Sequence, residues 1–434
     1  MDKMADVLGR AGAWCGQNKY LSAIKNAFQN FMPLTIAGAI GVLWCNVLVN
    51  ESTGLGIFFK PIMALEFLNP AFQAVNFCTI SCITVGITLG IAQEIGIWNM
   101  GAEKAGYIPG LVGLAAWLSV TNTSHMVEGA KEAFTGIAGN ELGATGLFTG
   151  MIIGVLSVEL FCFFEKQDAL KIKMPEQVPP GVARAFEVLV PATITLIITA
   201  CIGSACYNLT GLYLNDVIKN GIQGPLGAVG ATIPGVMIIY LVIMLFWLVG
   251  IHGNNMLSAV KEALFTPLAL ENVEAFNKGE TPKNIINMYA LQMWGEFGGS
   301  GVTIGLVIAI MIFGKREDNK AIASLSLVPG LFNINETVTF GIPMVLNPIL
   351  GIPFVFACLV TILVGYVLTV IGFCPVACLT VPWTTPPIVF GFLACGANVM
   401  GAVTQAILIV VSTVIYVPFL IAYEKYQNKQ AAEA

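Results

Sequence analysis

Long intervals of this chain carry no charge, and that feature limits its possible folds more than any other. No Asp, Glu, Lys or Arg occurs from Asn26 to Asn50 or from Phe67 to Gln93, and the interval from Ala321 to Tyr423 contains only Glu336. A helix needs about 20 consecutive apolar residues to cross the hydrocarbon of a bilayer. Each interval can hold one crossing or more, so the sequence predicts an integral protein of the lipid bilayer.

The composition points to the same class. Hydrophobic residues make up 56% of the 434 residues and charged residues 10%, whereas soluble domains carry roughly 25% charged residues. The length leaves room for about eight to eleven helical crossings, and the alternation of a membrane β-strand is absent. With 20 basic residues against 25 acidic ones, the chain has no basic stripe for a nucleic acid. We therefore expect an all-α membrane protein with no nucleic-acid partner.

The basic residues indicate the orientation. By the positive-inside rule, three groups are predicted to be cytoplasmic: Lys3, Arg10, Lys19 and Lys25; Lys166, Lys171, Lys173 and Arg184; and Lys425 with Lys429. Lys315, Arg316 and Lys320 look cytoplasmic too, but a simple count of crossings places them outside. Either the segment Asn284–Gly314 forms a re-entrant hairpin, or this loop is an exception to the rule.

A change in composition divides the chain near residue 215. We predict a first domain at residues 1–215, with regular spans and charged loops, and a second domain at residues 216–434. In the second domain the apolar stretches are broken by Gly, Pro and Asn, at Gly250–Asn255, Gly298–Gly301, Asn333–Glu336 and Pro382–Pro387. Transporters build substrate sites from such discontinuous helices, because broken backbone at membrane depth must lie inside protein or line a watery cavity.

Glu336 is the sharpest candidate for function. A carboxylate near the centre of a bilayer costs about 2.5–3.5 kcal/mol on insertion scales. Glu336 either caps a helix in an interfacial turn near Lys320 or faces a polar cavity. In a cavity it could bind a cation, relay a proton or accept a hydrogen bond from a sugar hydroxyl.

His252, Glu296 and two tryptophans are further candidates. His252 follows an apolar run and lies between two glycines; it is either structural or a partner for a ligand hydroxyl. Glu296 is either interfacial, since Lys283 is near in sequence, or functional. Trp247 and Trp383 either mark the membrane interface or pack against a sugar ring.

Several chemistries are excluded. The sequence contains no P-loop motif and no dinucleotide-binding fingerprint. Two histidines cannot supply a His-rich metal site. We therefore predict no metal and no cofactor, so that transport must be driven by an ion gradient or by a partner protein.

Five motifs occur in a specific order along most of the chain: Ala23–Phe28 with Met32–Ala39, Gly250–Gly253, Gly298–Leu306, Phe332–Glu336 with Phe340–Pro343 and Asn347–Pro348, and Pro382–Thr384. They resemble enzyme IIC, the membrane component of the bacterial phosphoenolpyruvate-dependent sugar phosphotransferase system. The resemblance is to its lactose, cellobiose and diacetylchitobiose family.

The resemblance implies a fold and a location. The fold would comprise about ten transmembrane helices with two re-entrant hairpins in the C-terminal half. Residues 1–215 would form a homodimer in the bacterial plasma membrane, and residues 216–434 would bind the sugar.

The resemblance also implies a function. Glu336 and His252 would hold the C6 hydroxyl of a disaccharide while a separate phosphorylated enzyme IIB, recharged by enzyme IIA, phosphorylates it. Substrate contacts are expected from Asn254, Asn333, Asn335, Trp247 and Trp383. A β-linked disaccharide of the cellobiose or diacetylchitobiose kind is the favoured substrate.

Two other classes remain open from the residues alone. An ion-coupled secondary sugar transporter would use Glu336 as its coupling site and need no partner. A membrane enzyme or channel without sugar transport is the second alternative, although the lack of nucleotide and metal motifs disfavours an enzyme acting alone.

Overall fold

The computed structural model describes residues 10, 14, 17–50, 56, 59–125, 134–175, 177–225, 230–342 and 344–433. These residues are mostly helical. Two short strands, β1 (Ser124–His125) and β2 (Phe134–Thr135), pair antiparallel. The prediction of an all-α integral membrane protein is confirmed.

Nineteen α-helices follow one another in the described part of the chain. The first nine are α1 (Lys19–Leu43), α2 (Asn69–Asn76), α3 (Ile83–Met100), α4 (Ala102–Ala105), α5 (Ile108–Val120), α6 (Gly139–Leu142), α7 (Ala144–Glu165), α8 (Pro180–Thr210) and α9 (Leu214–Ile218). The next ten are α10 (Ile233–Leu248), α11 (Gly253–Met256), α12 (Ser258–Asn277), α13 (Met288–Gly295), α14 (Ile304–Phe313), α15 (Glu317–Leu331), α16 (Glu336–Gly341), α17 (Gly351–Val370), α18 (Val389–Ala394) and α19 (Val399–Glu433). Short π- or 3-10-helical segments are Trp44–Leu48, Lys60–Leu68, Phe77–Ser81, Asp168–Leu170, Lys219–Gln223 and Ser300–Val302.

Five described helical segments are long and apolar enough to cross a membrane: Lys19–Leu48, Ala144–Glu165, Pro180–Thr210, Gly351–Val370 and Val399–Gln430. Two bent pairs raise the number to seven if each counts as one span: Lys60–Ser81 with Ile83–Met100, and Met288–Val302 with Ile304–Phe313. The helices α5 and α10 are apolar but shorter. The figure of ten transmembrane helices stays a prediction.

The chain forms two compact units. The first unit contains Gln17–Gly38 and Val75–Ala228, and the second contains Met1–Gly16, Ala39–Ala74 and Val229–Ala434, in their described residues. The functional division predicted near residue 215 stays a prediction.

Small side chains let the helices of the first unit pack closely. In this unit α5 and α7 contact each other, and both contact α3 and α8. A Cβ added at Gly113 of α5 would lie 2.3 Å from the Cβ of Ala92, and one added at Gly150 of α7 would lie 2.2 Å from Thr88 Oγ1. Membrane helices lack a hydrophobic driving force between them, so close backbone approach at small residues supplies the attraction.

The second unit packs around a large apolar core and a sharp break. Helix α19 contacts α14, α17 and α18, and Tyr416 of α19 donates a hydrogen bond of 2.8 Å to the carbonyl of Gly301. Gly298, Gly299 and Gly301 have positive φ angles of 69°, 88° and 75°. Because glycine takes such angles without steric cost, the chain turns here by 59° between α13 and α14.

A buried carboxylate, Glu424, connects the loop that carries Lys315 and Arg316 with the C-terminal part of α19, which carries Lys425 and Lys429. Glu424 of α19 accepts hydrogen bonds from the backbone N–H groups of Lys315, at 2.9 Å, and Arg316, at 3.4 Å. The loop after α14 therefore lies at the same end of the unit as the C-terminal part of α19. This agrees with the prediction that both share the cytoplasmic side. The segment before Lys315 is bent, and its re-entrant character stays a prediction.

The close packing of α14 on α19 gives a stability test. A Cβ at Gly305 would lie 2.2 Å from Ser412 Oγ and 2.8 Å from the backbone nitrogen of Thr413. We expect Gly305→Ala to lower the free energy of unfolding by about 1–3 kcal/mol, because overpacking forces backbone shifts. Apparent melting temperature in detergent measures the effect. Gly181→Ala is the matched control, since a Cβ there meets no described atom within 4 Å, and an equal loss in both variants would contradict this account.

Candidate functional site

The broken segments of the second unit enclose a cavity of about 530 Å³. Sites for small ligands usually have volumes of roughly 300–1,000 Å³. The cavity is lined by His252, Asn254, Asn255, Lys261, Gln292, Glu296, Phe297, Gly299, Ser300, Asn333, Ile334, Asn335, Glu336, Trp383, Phe390 and Gln405. Six of the seven residues predicted to bind substrate are among them, and all of the lining residues belong to the second unit.

His252 and Glu336 face each other in this cavity. His252 Nε2 lies 3.9 Å from Glu336 Oε1, and their side chains are 39% and 47% exposed, so a ligand can reach both. His252 Nδ1 accepts a hydrogen bond of 3.3 Å from the backbone N–H of Asn255 at the start of α11. A neutral imidazole that accepts at one nitrogen carries its proton on the other, so Nε2 is the donor that faces the carboxylate side of the cavity.

The asparagines beside Glu336 hold the broken segments together. Asn333 has a positive φ of 63°, which brings its side chain between two other breaks. Its Oδ1 accepts from the N–H of Gly298 at 2.6 Å, and its Nδ2 donates to the carbonyls of Trp383 at 2.5 Å and Thr385 at 3.0 Å. Asn335 Nδ2 donates to the carbonyl of Ser300 at 2.8 Å. These bonds fix the position of Glu336, which begins α16.

The two tryptophans lie in different surroundings. Trp383 lines the cavity and is 43% exposed. Trp247 is 2% exposed and is not among the lining residues; its ring packs against the imidazole of His252, with centroids 4.4 Å apart. The structure therefore gives Trp247 contact with His252, and direct contact with a sugar stays a prediction.

A buried ion pair lies in the cavity wall. Lys261 of α12 is paired with Glu296, and Tyr240 of α10 donates a hydrogen bond of 2.7 Å to the same carboxylate oxygen. Sequence reasoning missed Lys261. Its spacing of four and eight residues from Phe265 and Ala269, which are both fully buried, places it on the buried face of a helix and could have revealed it.

Two glutamines were also missed, because an isolated amide in a transmembrane sequence gives no distinctive signal. Gln405 Oε1 accepts from the N–H groups of Ile388, at 2.7 Å, and Gly391, at 2.8 Å. Gln292 Oε1 and Asn254 Oδ1 are buried without a hydrogen-bond partner among the described residues. Buried acceptors are normally satisfied, and the residues that carry these two atoms line the cavity.

Together these features define a class of protein. A membrane-embedded helical protein that uses broken segments to enclose carboxylates, amides, a histidine and an exposed indole is a transport protein for a polar, hydrogen-bonding solute.

The comparisons with known proteins then identify the family. Residues 25–358 match the family described as "Phosphotransferase system, EIIC". The chain is 33% identical to the oligo-beta-mannoside-specific EIIC component of Bacillus subtilis, covering 98% of this chain and 94% of the relative. It is 29% identical to the cellobiose-specific EIIC component of Lactococcus lactis, covering 98% of both. Its fold is similar to the crystal structure of ChbC, the IIC component of the N,N'-diacetylchitobiose-specific phosphotransferase system, with a TM-score of 0.88, 29% identity and 97% of each chain covered.

The chain belongs to the EIIC family of the phosphotransferase system, the sugar permeases of the bacterial plasma membrane. The resemblance derived from the five motifs is confirmed. The alternative of an ion-coupled secondary transporter finds no support in these relatives.

Asn333 is hydrogen-bonded to the other broken segments, whereas the Trp383 ring is exposed in the cavity. Substitutions at the two positions should therefore have different effects. Asn333→Ala removes three hydrogen bonds to the backbone of the other broken segments, and each such bond typically contributes about 0.5–1.5 kcal/mol. We expect a clearly lower melting temperature without any sugar. Trp383→Ala should leave the melting temperature unchanged and weaken sugar binding about 10- to 100-fold, as the loss of an aromatic anchor does.

Thermal denaturation and isothermal titration of the purified protein separate the two effects. Asn333→Gly is the control, since glycine keeps the positive φ and loses only the hydrogen bonds. A normal melting temperature for Asn333→Gly would show that the hydrogen bonds do not hold the segments together.

Proposed function

We propose that this chain binds a β-linked disaccharide of the cellobiose or diacetylchitobiose kind and carries it across the membrane while a separate phosphorylated enzyme IIB phosphorylates C6. The observation that carries the proposal is the His252–Glu336 pair, both side chains exposed to a cavity of about 530 Å³. The names of the relatives, which are specific for cellobiose, oligo-beta-mannosides or diacetylchitobiose, support the substrate class.

The chemistry of phosphoryl transfer suits this pair. A primary hydroxyl must be oriented and relieved of its proton, and a carboxylate within hydrogen-bond reach can do both. We propose that Glu336 accepts the hydrogen bond of the C6 hydroxyl while His252 Nε2–H donates to its oxygen. The O6–P bond then forms as the S–P bond of the enzyme IIB phosphocysteine breaks, and the hydroxyl proton passes to Glu336. Because little else in such a transfer needs covalent help from the protein, positioning is the main contribution of the site.

The remaining lining residues suit a sugar. Trp383 offers an exposed aromatic face for a pyranose ring, and Asn254 and Gln292 offer buried acceptors for its hydroxyls. Asn333 and Asn335 act on the sugar through Glu336, whose position they fix.

The assembly belongs to the same proposal. Enzyme IIB is the phosphoryl donor and enzyme IIA recharges it. Residues 1–215 form a homodimer contact, and residues 216–434 bind the sugar. All cavity-lining residues fall between His252 and Gln405, which supports the sugar-binding half of this division.

Uptake into membrane vesicles that contain the chain tests the proposal directly. Radiolabelled cellobiose, diacetylchitobiose and lactose are supplied with phosphoenolpyruvate and the soluble phosphocarrier proteins, then without them, and the internal product is analysed. We expect a sugar 6-phosphate only when the phosphocarriers are present. Free sugar accumulating on an imposed proton or sodium gradient would overturn the proposal.

Glu336→Gln tests the role of the carboxylate. Glutamine keeps an acceptor oxygen but cannot take a proton, and general-base catalysis typically contributes about 10²–10⁴-fold. We expect the rate of sugar phosphorylation at saturating sugar to fall by at least about 100-fold, with a change of less than about threefold in the dissociation constant for the sugar.

The matched control is Glu280→Gln, which neutralises an exposed carboxylate outside the cavity and should leave both quantities unchanged. Equal losses in binding and phosphorylation for Glu336→Gln would assign Glu336 to sugar binding and remove it as the base.

A further inference from the structure

The residues that line the cavity carry more negative than positive charge, which is unusual for a site whose product carries a phosphate. Among the described residues that line it, Lys261 supplies the full positive charge, against the carboxylates of Glu296 and Glu336. His252 is neutral in the tautomer that its hydrogen bond to Asn255 requires. The formal charge of the lining is therefore negative.

The positive charge of Lys261 is also already paired with a negative charge of the protein. Its ammonium is paired with Glu296, lies 5.4 Å from the centroid of the Tyr240 ring and is almost fully buried. Tyr240 holds the same Glu296 oxygen from the other side. On the next position of α12, the Glu262 carboxylate accepts a hydrogen bond from Thr266. Proteins that bind phosphate tightly present lysines, arginines or backbone N–H groups to it, whereas this lysine is paired with the carboxylate of Glu296.

We propose that the Lys261–Glu296 pair makes the cavity selective for the neutral disaccharide over its phosphorylated product. This inference rests on the proposed function. The pair as a whole is neutral, so it attracts no phosphate, and Glu336 repels the dianionic product once it has released the hydroxyl proton it accepted. Like charges brought together at a binding surface are strongly unfavourable. The product is thus expelled and does not rebind, which makes transfer one-directional at the site itself.

The pair also explains how Glu296 keeps its charge at this depth. A lone buried carboxylate is costly, and an ion pair with extra hydrogen bonds offsets that cost. Lys261 is a positioning residue in this scheme, since it acts on the ligand through Glu296. Replacing Glu296 with a neutral residue would leave the Lys261 ammonium unpaired, and the cavity would then contain the cation that a phosphate needs.

The experiment compares two ligands on the purified protein. The probes are the disaccharide that the wild-type chain binds, cellobiose or diacetylchitobiose, and the same sugar phosphorylated at C6 of its non-reducing ring. Isothermal titration gives the ratio of their dissociation constants for the wild type, Glu296→Gln, Lys261→Met and the double variant. We expect the wild type to bind the sugar phosphate at least about tenfold more weakly than the sugar.

The variants have distinct expected results. Glu296→Gln should lower that ratio about tenfold or more, because Lys261 becomes available to the phosphate. Lys261→Met should keep or raise the ratio, and the double variant should return it close to the wild-type value. A purely structural role for the pair would change the affinity of both ligands together and leave the ratio constant, which would overturn the proposal.

Salt dependence of the wild type provides a measurement that needs no variant. Raising the salt concentration from 50 to 500 mM screens repulsion, so the sugar phosphate should bind more tightly while the sugar is unaffected. Equal binding of both ligands by the wild type at low salt would contradict the inference. Failure of the unphosphorylated disaccharides to bind at all would contradict the proposed function, and not the inference on selectivity alone.

Discussion

The hydrogen bonds of the Asn333 side chain are the interaction on which the rest of the site depends. They tie the breaks at Gly298 and at Trp383–Thr385 to the segment that carries Glu336. Broken helices expose backbone groups that no water satisfies at membrane depth, and each such group must find a partner within the protein. A single carboxamide in a left-handed conformation provides three of those partners. The geometry of the cavity follows from this arrangement.

The two carboxylates of the cavity are placed in contrasting environments. Glu296 is paired with a lysine and a tyrosine hydroxyl and is mostly buried, whereas Glu336 is about half exposed beside a neutral histidine. Two similar groups can serve different functions when their surroundings differ in this way. In the proposed function, the paired carboxylate shapes the charge of the site and Glu336 faces the reacting hydroxyl.

The charged and polar residues that interrupt or follow apolar stretches could be identified from the sequence. Glu336 interrupts a long apolar interval, and His252 follows a transmembrane run between two glycines; both line the cavity. Lys261 was not predicted as a site residue because it lies next to Glu262 in a helix of mixed polarity. Its burial depends on tertiary contacts with Tyr240 and Glu296. Trp247 was correctly placed next to His252 in sequence, but whether its ring meets the sugar or supports the imidazole depends on packing that no local pattern encodes. The inclusion of residues 39–74 in the second unit likewise depends on long-range contacts.

All the cavity-lining residues come from one of the two compact units. If the sugar binds in this cavity as proposed, its binding and orientation require no side chain from the first unit. The same unit contains Glu336, the proposed acceptor for the hydroxyl proton, and the Lys261–Glu296 ion pair. Among the described residues that line the cavity, Lys261 is the lysine and it is paired with Glu296, so the proposed affinity for a neutral sugar rests on hydrogen bonds and aromatic contact. In the proposed scheme, phosphorylation removes the hydrogen that the C6 hydroxyl donates to Glu336 and adds negative charge to the ligand, so charge is a property by which this site can distinguish substrate from product.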